Sequence, residues 1–216
     1  MSTIIESFNK IKLNIASAKP TKPVKIIAVS KTFTLERIAP LIEYGHIHFG
    51  ENKVQESLAK WTEQKKINQN LKLHMIGKLQ SNKAKEAVKI FDYIHSLDNQ
   101  KLADNLAKHQ INLNKNLEYF IQVNIGNEIQ KSGIPVGELD SFYNYCINEV
   151  KLNIIGLMAI PPNDNNSGKY FESLNELNKS LALENLSMGM SSDYIDAIKN
   201  GATFVRIGSS IFGARS

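Results

Sequence analysis

Lys31 stands at the carboxyl end of Val24-Lys25-Ile26-Ile27-Ala28-Val29, an apolar run broken only by Lys25. A short run of this kind feeding a helix suits a strand buried on both faces of a parallel sheet. An amine at the dry end of such a strand loses solvation, which favours its neutral form. A neutral amine attacks an aldehyde and forms a Schiff base. The bland alternative is an ordinary solvated lysine, because the chain holds 26 Lys+Arg and its only arginines are Arg37, Arg206 and Arg215. Near the other end of the chain, Ser191 heads an expected helix, and Gly208 and Ser209 follow another apolar run. Backbone N–H groups at a helix start, with a hydroxyl beside them, suit an anion. A cap and a tight turn are the alternatives for these residues. Arg206 lies two residues before Gly208, so both point to the same side of a strand.

The elements that must position these residues alternate along the chain. Ile4, Phe8, Ile11 and Ile15 place an amphipathic helix over 2–18, ended by Pro20 and Pro23. Strands are expected at 24–29, 46–50, 72–77, 93–97, 118–125, 153–160, 185–190 and 204–208. Helices are expected at 35–44 (with Gly45 as its C-cap), 52–66, 81–90 (with Ser81 as its N-cap), 100–109, 136–150, 169–181 and 193–199. Eight strand–helix alternations predict an α/β chain folded as a (β/α)8 barrel of the TIM type, with an extra helix at its N-terminus. A doubly wound open sheet is the competing arrangement, and it requires a switch point that the sequence does not display. Residues 1–216 are expected to form a single barrel domain, a length sufficient for a substantial core.

A barrel gathers chemistry at the carboxyl ends of its strands, and a phosphate site is common in the loops after the seventh and eighth. Lys31, Asn52, His74, Ser191, Arg206, Gly208 and Ser209 all fall at or near such ends. An amine opposite a phosphate clamp leaves two ligand classes: a phosphorylated sugar handled through a lysine imine, or pyridoxal 5'-phosphate, which carries both an aldehyde and a phosphate. Arg206 favours the second, because an Arg or Asp is the expected partner of the pyridine nitrogen. A cation there disfavours protonation of the ring and weakens it as an electron sink. A sugar phosphate or a buried carboxylate is the alternative partner for Arg206.

Composition narrows the classes further. The formal net charge is +5, but the lysines are scattered and no nucleic-acid-binding motif appears, so nucleic acid is not expected as a partner. A basic balance also suits an anionic ligand. One cysteine, Cys146, excludes an internal disulfide and a cysteine-based metal site. No window approaches the roughly 20 apolar residues of a membrane helix, and the N-terminus lacks a secretory pattern. A cytoplasmic location is the expectation. His46, His48 and His95 lack metal-ligand spacing, which points to packing or hydrogen bonding. His74 is placed either against a ligand ring or in the core, and Lys131 either over the site or on the surface. Trp61 and the Tyr143–Tyr145 region need only packing.

Six segments together resemble the pyridoxal phosphate homeostasis proteins. They are Ala28-Val29-Ser30-Lys31-Thr32, Phe49-Gly50-Glu51-Asn52, His74-Met75-Ile76-Gly77 with Leu79-Gln80-Ser81-Asn82-Lys83, Gly156-Leu157-Met158-Ala159-Ile160-Pro161, Ser187-Met188-Gly189-Met190-Ser191, and Val205-Arg206-Ile207-Gly208-Ser209 running to Phe212-Gly213-Ala214-Arg215. The resemblance spans nearly the whole chain in order. It implies a barrel like the N-terminal domain of alanine racemase and pyridoxal phosphate held as a Schiff base on Lys31. It further implies phosphate contacts from Ser191, Gly208 and Ser209, Arg206 near the ring nitrogen, and Asn52 lining the site. Ser209 stands where many of these relatives carry Thr, and Lys78 replaces a common Pro.

Racemisation needs proton-exchanging groups on both faces of the substrate. The expectation is that no second domain follows the barrel to supply the partner of Lys31. With Arg206 weakening the electron sink, this favours a non-catalytic protein of vitamin B6 homeostasis that binds, buffers or delivers the cofactor. A minimal amino-acid racemase or lyase is the alternative. Pyridoxal phosphate-dependent apoenzymes are the expected recipients, and a monomer the expected state.

Overall fold

In the computed structural model, which describes residues 3–213, eight parallel strands close into a ring. They are β1 (Lys25–Val29), β2 (His48–Glu51), β3 (Lys72–Met75), β4 (Tyr93–Leu97), β5 (Glu118–Asn124), β7 (Ile154–Met158), β8 (Asn185–Met190) and β9 (Phe204–Ile207). Each pairs with the next, β4 pairs with β5, and β1 pairs with β9 to complete the barrel. A two-residue strand, β6 (Ile134–Pro135), pairs with the end of β5. The helices are α1 (Thr3–Ser17), α2 (Leu35–Glu43), α3 (Val54–Ile67), α4 (Ala84–Ile90), α5 (Gln100–Asn112), α6 (Leu139–Asn144), α7 (Ser167–Ser180), α8 (Tyr194–Lys199) and α9 (Ser209–Phe212). The expected TIM-type barrel with an additional first helix is what forms.

Strand alternation divides the apolar residues into two layers. Ile26, Ala28, Phe49, Leu73, Met75, Val205 and Ile207 belong to the large cluster between the strands and the helices. Ile27, Tyr93, Phe120, Met158 and Phe204 form a separate cluster that plugs the barrel interior. Full burial stabilises by about 1.5–3 kcal/mol for a side chain such as Ile or Phe. Truncating Phe204, which is buried, would cost about 3–5 kcal/mol because its inner neighbours cannot collapse onto the gap. The first helix buries Ile4, Phe8, Ile11 and Ile15, the stripe its spacing predicts. Gly45, at φ 93°, closes α2 in the left-handed conformation that favours glycine.

Several boundaries differ from expectation. Ser81 is not the N-cap of the helix expected over 81–90: Ser81–Lys83 form a 3-10 turn that follows Gln80, and α4 begins only at Ala84. The α3 helix begins at Val54 rather than at residue 52, because Asn52 stays in the connection from β2 and Lys53 is extended. The 136–150 segment is not one helix. It runs through a 3-10 turn (Val136–Glu138) and α6 into a π-helical turn (Tyr145–Glu149), where the Val150 N–H reaches the Tyr145 carbonyl. Ser191 does not open a helix. Gly189 at φ 88° and a bond from the Met190 N–H to Asp193 Oδ1 (2.6 Å) make a turn first, so α8 starts at Tyr194. The expected helix start at Ser2 and the Ala214–Arg215 end of the last motif lie outside the described residues. Among the described residues, no helix is long and apolar enough to cross a membrane, and no group of three His, Cys, Asp or Glu side chains could hold a metal ion.

Candidate functional site

The carboxyl ends of the strands surround a cavity of about 510 Å³. Lys31, Asn52, Ser191, Arg206, Gly208 and Ser209, the six residues singled out in the sequence, all line it. Lys31 continues the side of β1 that carries Ile27 and Val29, and Thr32 at φ 70° turns the chain immediately after it. A positive φ at a β-branched residue is strained, and such strain persists only where the surroundings fix the backbone.

The fixing group lies one layer out. Glu51 is fully buried, and its Oε1 accepts from Ser30 Oγ (2.7 Å), Lys60 Nζ (3.0 Å) and Trp61 Nε1 (3.0 Å). Lys60 Nζ also donates to the Ser30 carbonyl at 3.0 Å, and the Ser30 N–H donates to the Gly50 carbonyl at 3.0 Å. This cluster ties the ends of β1 and β2 together directly before Lys31 and Asn52. Sequence reasoning missed Glu51 and Lys60 and gave Trp61 packing alone. The available signal was a carboxylate inside Phe49-Gly50-Glu51-Asn52 at a position where strand parity turns the side chain toward the helices.

Asn52 is held by Gly77. A Cβ on Gly77 would lie 2.7 Å from both the Asn52 Cβ and its carbonyl oxygen, so glycine is what lets the loop after β3 rest there. The buried Asn52 Oδ1 has no hydrogen-bond partner among the described residues. On the opposite wall, Ser209 opens α9, whose Ile211 and Phe212 N–H groups bond to the Gly208 carbonyl at 2.9 and 3.0 Å. The first N–H groups of a helix have no intrahelical acceptor, so this turn presents donors. Arg37 donates to the Phe212 carbonyl (2.8 Å) and Phe33 packs on Phe212, with ring centroids 5.1 Å apart, which holds α9 over the end of the barrel.

Arg206 is 4% exposed. One guanidinium nitrogen donates to the Ser187 carbonyl and to Ser187 Oγ, both at 2.8 Å, and the other donates to the Ala159 carbonyl at 3.0 Å. No carboxylate forms an ion pair with it among the described residues, and burial lowers its pKa to about 10. Below Arg206 the barrel interior carries a file of rings. His95 Nδ1 lies 2.8 Å from Ser187 Oγ, His95 Nε2 lies 2.9 Å from His74 Nδ1, and His74 Nε2 lies 2.9 Å from His48 Nδ1. His74 therefore sits in the core and not on the cavity wall, and the other two histidines are hydrogen-bonded as well. Lys131 pairs with Glu128 (2.5 Å) and the Pro161 carbonyl (3.1 Å) and does not line the cavity.

Chemically, the wall offers one amine, one buried guanidinium, an amide oxygen without a partner, and two hydroxyl-bearing turns. Among the described residues that line it there is no carboxylate, histidine, tyrosine or cysteine. A cationic wall with no anion suits a negatively charged ligand. An orphaned buried acceptor costs about 1–3 kcal/mol until something pairs with it, and an amide turned over can donate instead. A molecule with an aldehyde, a ring nitrogen and a phosphate would use each of these groups.

The family described as the alanine racemase N-terminal domain matches residues 7–216. A pyridoxal phosphate homeostasis protein of Pasteurella multocida is 39% identical, over 99% of this chain and 98% of its own length. The solved structure of PipY from Synechococcus elongatus with PLP bound is 34% identical, with a TM-score of 0.82 over 93% of this chain and 98% of that one. Alanine racemase of Bartonella henselae shares the fold at 16% identity, with a TM-score of 0.74 over 98% of this chain and 58% of that one.

Proposed function

This chain belongs to the alanine racemase N-terminal domain family, with the pyridoxal phosphate homeostasis proteins as full-length relatives, and from that premise we propose that it binds pyridoxal 5'-phosphate in vitamin B6 cofactor homeostasis. The observation that carries this reading is the convergence of Lys31, Asn52, Ser191, Arg206, Gly208 and Ser209 on one cavity whose charged groups are cationic. Lys31 supplies the amine. Its Nζ forms a C=N bond with the aldehyde carbon, and the aldehyde oxygen leaves as water. Ser191, Gly208 and Ser209 hold the phosphate, the Asn52 amide pairs with a polar edge of the ring, and Arg206 faces the ring nitrogen as a donor. When bound, the cofactor's ring supplies an electron sink. A cationic donor at its nitrogen keeps that nitrogen unprotonated and the sink weak.

The role is that of a holder and not of a racemase, with residues 1–216 acting as one cofactor-binding barrel that delivers to apoenzymes. The same wall supports this part, because the described residues that line it include no carboxylate, histidine, tyrosine or cysteine to exchange a proton on the face of a substrate opposite Lys31. Borohydride reduction followed by peptide mass spectrometry tests the assignment. A pyridoxyl adduct on Lys31 is expected, and a Lys31→Ala protein that keeps the same absorbance band defeats it. Lys31-dependent deuterium exchange at the α-carbon of an added amino acid would replace the holder by an enzyme.

A further inference from the structure

We propose that Ser187 and His95 are positioning residues for Arg206, and that the file His48–His74–His95 is held in a single tautomer, hydrogen on Nε2 in every ring, because Arg206 can only donate. The tautomers follow from counting donors. A guanidinium has no acceptor, so at the 2.8 Å contact Arg206 gives its hydrogen to Ser187 Oγ. Among the described residues that oxygen has one other hydrogen-bond partner, His95 Nδ1 at 2.8 Å. If Nδ1 also donated, the hydroxyl hydrogen of fully buried Ser187 would be stranded. The hydroxyl therefore donates to Nδ1, and His95 keeps its hydrogen on Nε2. At 2.9 Å that hydrogen goes to His74 Nδ1, and the next goes from His74 Nε2 to His48 Nδ1, again at 2.9 Å. The hydrogen of His48 is left on Nε2, and His48 lines a cavity at the far mouth of the barrel that Lys25 and Lys12 also line.

The rings are fixed by stacking as well as by these bonds. His74 lies on Tyr93 with centroids 4.2 Å apart and planes 10° apart, and His95 lies on Phe120 at 4.3 Å and 17°. Charging His74 or His48 would place two hydrogens in a 2.9 Å gap, and charging His95 would place a second one in its 2.8 Å contact with Ser187 Oγ. The surroundings oppose it too: His95 faces Arg206, His74 faces His95, His48, Lys25 and His46, and His48 faces His46, Lys25 and Lys72, with Asp92 alone acting the other way. Each bond in the aligned file polarises the next, which strengthens Ser187 Oγ as the acceptor for Arg206. A donor-only residue at the inner end also means that no proton passes from the far mouth into the cavity. The file orients a cation and conducts nothing.

The positioning part rests on the reading of the cavity given above, whereas the tautomer part does not. Long-range proton–nitrogen correlation on protein labelled with ¹⁵N-histidine, without added cofactor, reads the tautomers, with single His→Gln variants assigning the signals. All three file histidines are expected as neutral Nε2–H rings at pH 7, and one found charged or as Nδ1–H overturns the file. Ser187→Ala is expected to release His95 into a mixture of tautomers, and Ser187→Thr to restore the single one. With pyridoxal phosphate added, Ser187→Ala is expected to move the pH midpoint of the bound chromophore by about one unit, with Ser187→Thr returning it. An unmoved midpoint overturns the positioning role. Colourless protein with the expected tautomers defeats the cofactor reading and leaves the file standing. The wild-type spectrum decides the tautomer question even if Ser187→Ala fails to fold.

Discussion

Glu51 Oε1 accepts a 2.7 Å hydrogen bond from Ser30 Oγ, so a fully buried carboxylate on β2 is fastened to the residue immediately before Lys31. Lys60, with 13% of its side chain exposed, completes the ion pair at 3.0 Å. The lysine that the cavity presents is thus set by a charge pair lying behind the sheet, outside the cavity.

Removing one partner of such a pair leaves the other charge buried and alone, at a cost of about 3–5 kcal/mol. Glu51→Ala is expected to lower the thermal midpoint by roughly 10 °C, given about 2–4 °C per kcal/mol for chains near this length. Glu51→Gln keeps an oxygen for Ser30 and Trp61 and should lose less. Calorimetry of both variants checks this, and a fall under about 2 °C for Glu51→Ala would show that the cluster contributes little.

Acid should destabilise the fold earlier than its carboxylates alone would predict. Burial lowers the pKa of His46 and of His48 to about 4, and holds His74 and His95 well below the ordinary histidine value. The unfolded chain takes up protons near pH 6.5, so between about pH 6.5 and 4 it binds more protons than the folded one. Stability is therefore present above that window and lost as pH falls through it, by roughly 1 kcal/mol per buried histidine per pH unit. Thermal midpoints measured from pH 7.5 to 5 should fall steadily, and a flat profile would contradict the burial of these rings.

Gly77→Ala is expected to displace Asn52, since the added Cβ meets its Cβ and backbone oxygen at 2.7 Å. Overpacking of this kind costs about 1–3 kcal/mol. Under the proposed function the variant should bind pyridoxal phosphate at least tenfold more weakly while the adduct still forms on Lys31. Titration by absorbance decides it, and unchanged affinity would remove Asn52 from the binding wall.

Cys146 should be inert in the native protein. Burial first, and then Asp104, raise the thiol to about 12, and the thiolate is the reactive form. An aromatic disulfide reagent at pH 8 is expected to react only after denaturant is added. Stoichiometric reaction within seconds in buffer would show the π-helical turn around Tyr145–Glu149 opening readily.

The barrel was legible because its signals are local. Short apolar runs, helical stripes and glycine stops repeat along the chain, and one topological rule then sends residues such as Lys31, Asn52 and Arg206 to the strand ends, where they do meet in one cavity. Local signals also misled, placing a helix start at Ser191 where the Met190 N–H, donating to Asp193 Oδ1, imposes a turn. Tertiary structure alone decided the Glu51 cluster and the histidine file. Ser187 and His95 stand 92 residues apart, and Arg206 reaches Ala159 across 47. Strand parity says which side of the sheet each of these residues faces. Which polar groups then fall within 3 Å of one another depends on ring closure and stagger, and these are fixed only when the pairing of β1 with β9 and of β4 with β5 shuts the barrel.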